Sequence, residues 1–192
     1  MTDDSTLIAH VRQIVEAACR ANTNVFGYGI WTHHITDVAR NGRRLALTFN
    51  ADPEVVELAA LLHDYASVKD EALYEDHHVH GPAEAETILR RFGYPEDRIE
   101  AVKHAIEAHR GSVEVEGRSA EARCLRNADA MAHVQNVPSL LQLAYAQHGM
   151  GVAEGAAWVR AKLARSWKKL DPDVRELVRE EYEAALRLLP DV

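Results

Sequence analysis

The chain reads as an all-α protein, a compact bundle of about eight or nine helices. Three observations predict this. Apolar residues recur at three- and four-residue spacing along most of the sequence, the period of a helix with one buried face. Asp52-Pro53 and Asp171-Pro172 are helix starts, with Asp as N-cap and Pro as first helical residue. No stretch of useful length alternates apolar and polar residues as a half-buried strand would. A length of 192 residues suits one domain over 1–192, with a core at about 30–135 and C-terminal helices at about 139–189 packed on it.

The elements follow in order. Leu7, Ile8, Val11, Ile14, Val15, Ala18 and Cys19 form one stripe of a first helix over 7–21. Asn22-Thr23-Asn24 and Gly27-Tyr28-Gly29 break it. A second helix spans about 30–49, with Ile30, His34, Val38, Leu45 and Phe49 inward. The third, 53–64, is nearly all apolar after Glu57 and is expected to be the most buried. Residues 65–80 read as a polar loop, and loops of that length in a compact domain are often functional. Gly81-Pro82 opens a fourth helix over about 82–92, with Gly93 as its C-terminal cap. A fifth runs from Pro95 to His109 with Ile99, Val102, Ile106 and His109 inward; 111–117 is a loop. Further helices are expected over 119–135, 139–148, 152–168 and 173–189, the last with Val174, Leu177, Val178, Tyr182, Ala185, Leu186 and Leu189 inward.

Composition excludes several classes. No apolar run approaches the roughly 20 residues needed to cross a bilayer, and the acidic N-terminus lacks a signal-peptide pattern. Cys19 and Cys124 have no CxxC spacing and read as reduced, buried thiols of a cytoplasmic protein. A net charge of −8 argues against nucleic-acid or anionic-membrane binding, while leaving room for a local basic pocket. Eight of the 11 histidines fall between His33 and His109, and that clustering directs attention to metal chemistry.

The stretch Leu58-Ala59-Ala60-Leu61-Leu62-His63-Asp64 carries the argument further. Apolar burial explains its first five residues but not a His-Asp pair delivered at the end of a buried helix. Asp is rarely buried unless paired or metal-bound. Alone, such a pair is more often a cap or a surface contact. Candidate ligands elsewhere change the weighting: in chain order they are His34, His63, Asp64, His80, His109 and Asp129. Each lies at the end or on the inner face of a helix, the way helical domains build metal sites. Asp64 can bridge two ions, with His34, His63 and Asp129 completing one shell and His80 and His109 the other. The bland readings stand beside these: His34 as a core histidine with a satisfied hydrogen bond, Asp129 as a solvated carboxylate. His33 could replace His34. His77 and His78 read as loop residues able to donate a proton, His104 as facing substrate or supporting the site, and His133, one turn after Asp129, as a helix-surface histidine sooner than a residue hydrogen-bonded near the site. His104 and His109 diverge by about 140° around a regular helix, so only His109 can point inward.

The blocks His34-Ile35-Thr36-Asp37-Val38-Ala39, Ala59-Ala60-Leu61-Leu62-His63-Asp64, His80-Gly81 with Ile88-Leu89, Ile106-Glu107-Ala108-His109 and Asn127-Ala128-Asp129 resemble the HD-domain superfamily of metal-dependent phosphohydrolases. The resemblance covers about 30–135. It implies an all-α fold, a His, His-Asp, Asp metal set and, with two extra histidines, a dinuclear site. Where members often continue His-Asp-Ile-Gly, this chain has His63-Asp64-Tyr65-Ala66, which implies a differently shaped following loop.

The implied chemistry is hydrolysis of a small phosphate ester such as a nucleotide, with water activated by one or two divalent transition-metal ions (Fe, Mn, Zn, Ni or Co). Asp64 or a neighbouring carboxylate would take the water's proton. Arg110 and Lys69 are the cations best placed to hold phosphate; Arg126 is a further candidate, and Lys103 reads as a solvated charge. The alternatives are a mixed-valent di-iron oxygenase and a non-catalytic metal or ligand sensor. The expected partner is a small phosphorylated molecule, without nucleic acid or membrane; a homodimer is compatible with everything in the sequence.

Overall fold

The computed structural model describes residues 4–109 and 119–189, and the described residues are helices and connections without a strand. Eleven α-helical segments follow one another: α1 (Asp4–Arg20), α2 (Thr36–Phe49), α3 (Pro53–Leu62), α4 (Tyr65–Lys69), α5 (His77–Arg91), α6 (Glu96–Ala108), α7 (Ala120–Gln135), α8 (Val137–Gln142), α9 (Val152–Lys169), α10 (Pro172–Leu177) and α11 (Arg179–Leu188). Two π-helical turns, Trp31–Ile35 and Leu143–Gln147, join α2 and α8 respectively. No described helix is long and apolar enough to cross a membrane.

α3 is the centre. Every residue from Glu54 to Leu62 is buried, because α1, α2, α6 and α7 surround it. Asp52 caps its start as the sequence predicts, its side chain accepting from the Glu54 and Val55 amides at 3.0 and 3.2 Å. Asn50, in the left-handed region at φ 52°, ends α2 and turns the chain into that cap. Glu57, buried in α3, is neutralised by Arg12 of α1 at 2.6 Å and Arg43 of α2 at 3.2 Å. α2 lies close on α3 because Gly42 has no side chain: a Cβ there would stand 2.9 Å from Val56 Cγ1. α7 is buried along almost its whole length, with α2, α3 and α6 on one side and α9 and α11 on another.

Two expectations fail. Residues 65–80 are not one loop: α4 and a 3-10 turn over Glu71–Leu73 occupy most of the stretch, and α5 starts at His77, five residues before Pro82. Pro82 lies inside α5, tolerated near its start, and is not its first residue. The last predicted helix breaks at Val178 (φ −131°), which resets the helical phase and leaves Leu177 57% exposed instead of inward. Cys19 and Cys124 are free and buried.

Candidate metal centre

Five parts of the bundle converge on one spot. His34 lies in the π-helical turn before α2, a distortion of the kind often found at functional sites. His63 continues α3 by one residue, and the chain leaves the helix at Asp64 (φ −103°, ψ 4°). His77 is the first residue of α5, and His109 follows the last residue of α6. Asp129 and His133, one turn apart, project from the middle of α7.

Asp64 divides the cluster. Its Oδ2 stands 3.2 Å from both His34 Nε2 and His63 Nε2, and its Oδ1 stands 3.5 Å from His77 Nε2. His109 Nε2 lies 3.3 Å from His77 Nε2. Asp129 Oδ1 faces His34 Nε2 and His133 Nε2, each at 3.6 Å. Three overlapping sets therefore have ligand atoms within 4.8 Å of one another: His34, His63 and Asp64; Asp64, His77 and His109; His34, Asp129 and His133.

The tautomers decide what this arrangement can hold. Nδ1 of His63, His77 and His109 lies 2.8, 2.7 and 2.5 Å from the carbonyl oxygens of Ala60, Tyr74 and Ile106. A carbonyl only accepts, so each Nδ1 carries a proton and each Nε2 faces the cluster, presenting a lone pair wherever the ring is neutral. Whenever both rings are neutral, His77 and His109 aim two lone pairs at each other, with no hydrogen to share. A cation between them resolves that conflict, and a backbone partner on the outer nitrogen is how proteins orient metal-bound imidazole.

The electrostatics point the same way. Burial disfavours the ionised form of Asp64 and Asp129, yet the surrounding imidazoles, with Lys169 beside Asp129, hold both carboxyls well below the usual range. Burial alone would lower His63; the Asp64 carboxylate overrides it and pushes His63 up to about 9. Burial, helped by the His63 charge, pushes His109 down to about 3. Two carboxylates so placed, Asp129 buried and Asp64 half-buried, seek positive charge, which a divalent ion supplies by displacing a proton.

The sequence model of the HD domain matches residues 31–133, more than half of the chain. The chain belongs to the HD-domain family. A ribonuclease Y from Acidothermus cellulolyticus is 32% identical over 130 residues, 61% of this chain and 24% of that protein, so the chain spans about a quarter of that relative's length. Two solved structures share the fold: Bacillus subtilis YpgQ, at TM-score 0.68 and 21% identity over 98% of this chain and 94% of that one, and YpgQ in complex with ADP, at 0.68 and 22% over 94% and 93%.

Of the residues the sequence nominates, this HD domain brings together His34, His63, Asp64, His109 and Asp129. His80 is exposed and outside the cluster; the early start of α5 puts His77 in the place expected for it. Lys69 points away too, 52% exposed and paired to Glu84 at 2.7 Å. Arg110 lies outside the described residues. His33 is exposed on the rim of the cleft and His104 half-buried outside the cluster, while Lys103 is paired to Glu86 and Glu100. His133 is not a surface histidine: it is buried, stacked on His34 with ring centroids 5.0 Å apart. Its i+4 spacing from Asp129, which allows a hydrogen bond near the site, is the signal that outweighs the surface reading. His77 had no comparable signal, because Gly81-Pro82 is the stronger helix-start pattern.

The cluster forms the floor of a 660 Å³ cleft. One wall is α9, which sequence reading did not connect to the site. Lys169 Nζ stands 3.3 Å from Asp129 Oδ2, and Ser166 Oγ lies 3.1 Å from His133 Nδ1. Lys162, Arg165 and Lys168 line the same cleft, as does Arg126, held by Asp171 at 2.5 Å.

Proposed function

We propose that this HD domain is a metal-dependent phosphohydrolase acting on a small phosphate ester such as a nucleotide. The single observation that carries the reading is the union of a carboxylate–imidazole cage with a cationic wall in one cleft, within a chain of net charge −8. Cations concentrate where the cleft needs them, against the overall charge. The ADP complex of a structural neighbour supports a nucleotide as the type of ligand.

His34, His63, Asp64 and Asp129 would hold one divalent ion, and Asp64, His77 and His109 a second, with Asp64 bridging. Bound there, such ions supply Lewis-acid polarisation of phosphoryl oxygens and a water acidic enough to ionise near neutral pH. The chain's own residues do the rest. The backbone carbonyls of Ala60, Tyr74 and Ile106 fix the three imidazoles so that each Nε2 faces the cluster. The Asp64 and Asp129 carboxylates remain ionised, and Asp64 or a neighbouring carboxylate would accept the hydrogen bond through which the attacking water loses its proton. Lys169 and Arg126 oppose charge gathering on the phosphoryl oxygens, a stabilisation that strengthens toward the transition state.

The test is a panel of phosphomonoesters, phosphodiesters and nucleotides, assayed with chelator-treated protein before and after addition of Mn²⁺, Fe²⁺, Co²⁺, Ni²⁺ or Zn²⁺. Phosphate or pyrophosphate release that returns with metal supports the reading. Oxygen uptake by the iron-loaded protein, with no phosphorus product from any substrate, overturns it.

A further inference from the structure

α7 and α9 run antiparallel along the cleft. Asp129 meets Lys169 at 3.3 Å and His133 meets Ser166 at 3.1 Å, so numbers rise on α7 as they fall on α9. The same register carries Lys162 to the level of Asn136, and both line the cleft. Seven residues of helix separate Lys162 from Lys169, a rise of about 10 Å away from the carboxylate end. Lys162 is half-buried and makes no hydrogen bond or ion pair with any described residue, whereas Lys169 faces Asp129 and Arg126 is held by Asp171. Burial, only partly offset by Asp129, lowers the pKa of Lys162, as befits an ammonium group lacking a counter-ion. An unpaired ammonium in such a place is costly unless something anionic meets it.

From this placement we propose that Lys162 is a specificity residue that binds an anionic group of the substrate on the α9 wall, one helical turn beyond the Ser166–His133 contact, so that the cleft selects chains of linked phosphoryl groups over a single phosphate. On this assignment the ion cage holds one phosphoryl group and Lys162 meets a further one of a linked chain running along α9. The inference rests on the phosphohydrolase reading and adds to it the length of anion the site accepts.

Calorimetric titration of Mn²⁺-loaded protein with inorganic tripolyphosphate and with orthophosphate tests it, alongside elemental analysis of metal content. Wild type is expected to bind tripolyphosphate more tightly. Lys162→Gln should weaken tripolyphosphate binding about tenfold, the worth of one charge-assisted hydrogen bond. Orthophosphate affinity and metal content should stay unchanged, and Lys162→Arg should restore most of the loss. Equal weakening toward both anions, or toward neither, overturns the assignment of Lys162 while leaving the phosphohydrolase reading in place. If metal-loaded wild type binds neither anion, the phosphohydrolase reading fails and this inference with it.

Discussion

At the scale of single residues, Asp64 and Asp129 are the groups whose removal should be felt most. Asp64 places one oxygen toward His34 and His63 and the other toward His77. Asp64→Ala is therefore expected to lose all bound metal and all turnover while far-ultraviolet circular dichroism stays helical, since the core of α3 is built from apolar side chains. Asp129 is steadied by His133 and Lys169, and His133 in turn by Ser166. Removing such a supporting contact usually costs about 10–100-fold in metal affinity, so His133→Gln should weaken Mn²⁺ binding by that order and Ser166→Ala by less. Most of the centre was legible in the sequence, because His34, His63, Asp64, His109 and Asp129 each sit on a face or helix end that periodicity can locate. His77 was not, since its position depends on where α5 begins, and Pro82 inside the helix imitates a start. His133 and the α9 residues were readable by spacing alone: Asp129 to His133 is i,i+4, and Lys162, Ser166 and Lys169 repeat at i, i+4 and i+7.

At the scale of elements, two contacts position the cleft. α2 reaches α3 only because residue 42 is glycine; with a Cβ 2.9 Å from Val56 Cγ1, Gly42→Ala should cost about 1–3 kcal/mol in denaturant unfolding. The second contact is Asp171, at the start of α10. Its carboxylate accepts from Arg123, Arg126 and Asn127 of α7, and Asn127 Oδ1 accepts in return from the Asp171 amide. Burial works against the ionised form, but these donors win and hold the Asp171 pKa below its usual value. The sign follows: its stabilising contribution is present above the unfolded carboxylate range and disappears as pH falls through the lowered folded value. Asp171→Asn should thus destabilise the protein near neutral pH, and the gap between mutant and wild type should close in acid. An unchanged gap at low pH would mean that the network acts through packing rather than charge. The sequence marked Asp171-Pro172 as a helix start, yet Asp171 spends its side chain on α7 and makes no cap bond, which local patterns cannot foresee.

At the scale of the whole molecule, charge is distributed against its own average. The chain carries −8, yet five cationic side chains line one cleft beside Asp64 and Asp129. The fold makes this possible by laying α9, beyond the segment that matches the HD domain, across the mouth of the cluster. The HD segment supplies the cage and Arg126, and α9 supplies the other four cations of the cleft from outside the part of the chain that marks the family. The all-α class was legible because helical periodicity runs through the whole sequence. The packing of α9 on α7 was not, because it depends on contacts between residues far apart in the chain. The central claim is that His77, not His80, belongs to the centre beside Asp64 and His109. Elemental analysis of Mn²⁺-reconstituted wild type, His77→Ala and His80→Ala tests it most directly. The expected result is a lower metal content in His77→Ala alone, with His80→Ala equal to wild type; loss of metal from His80→Ala with full content in His77→Ala would contradict it.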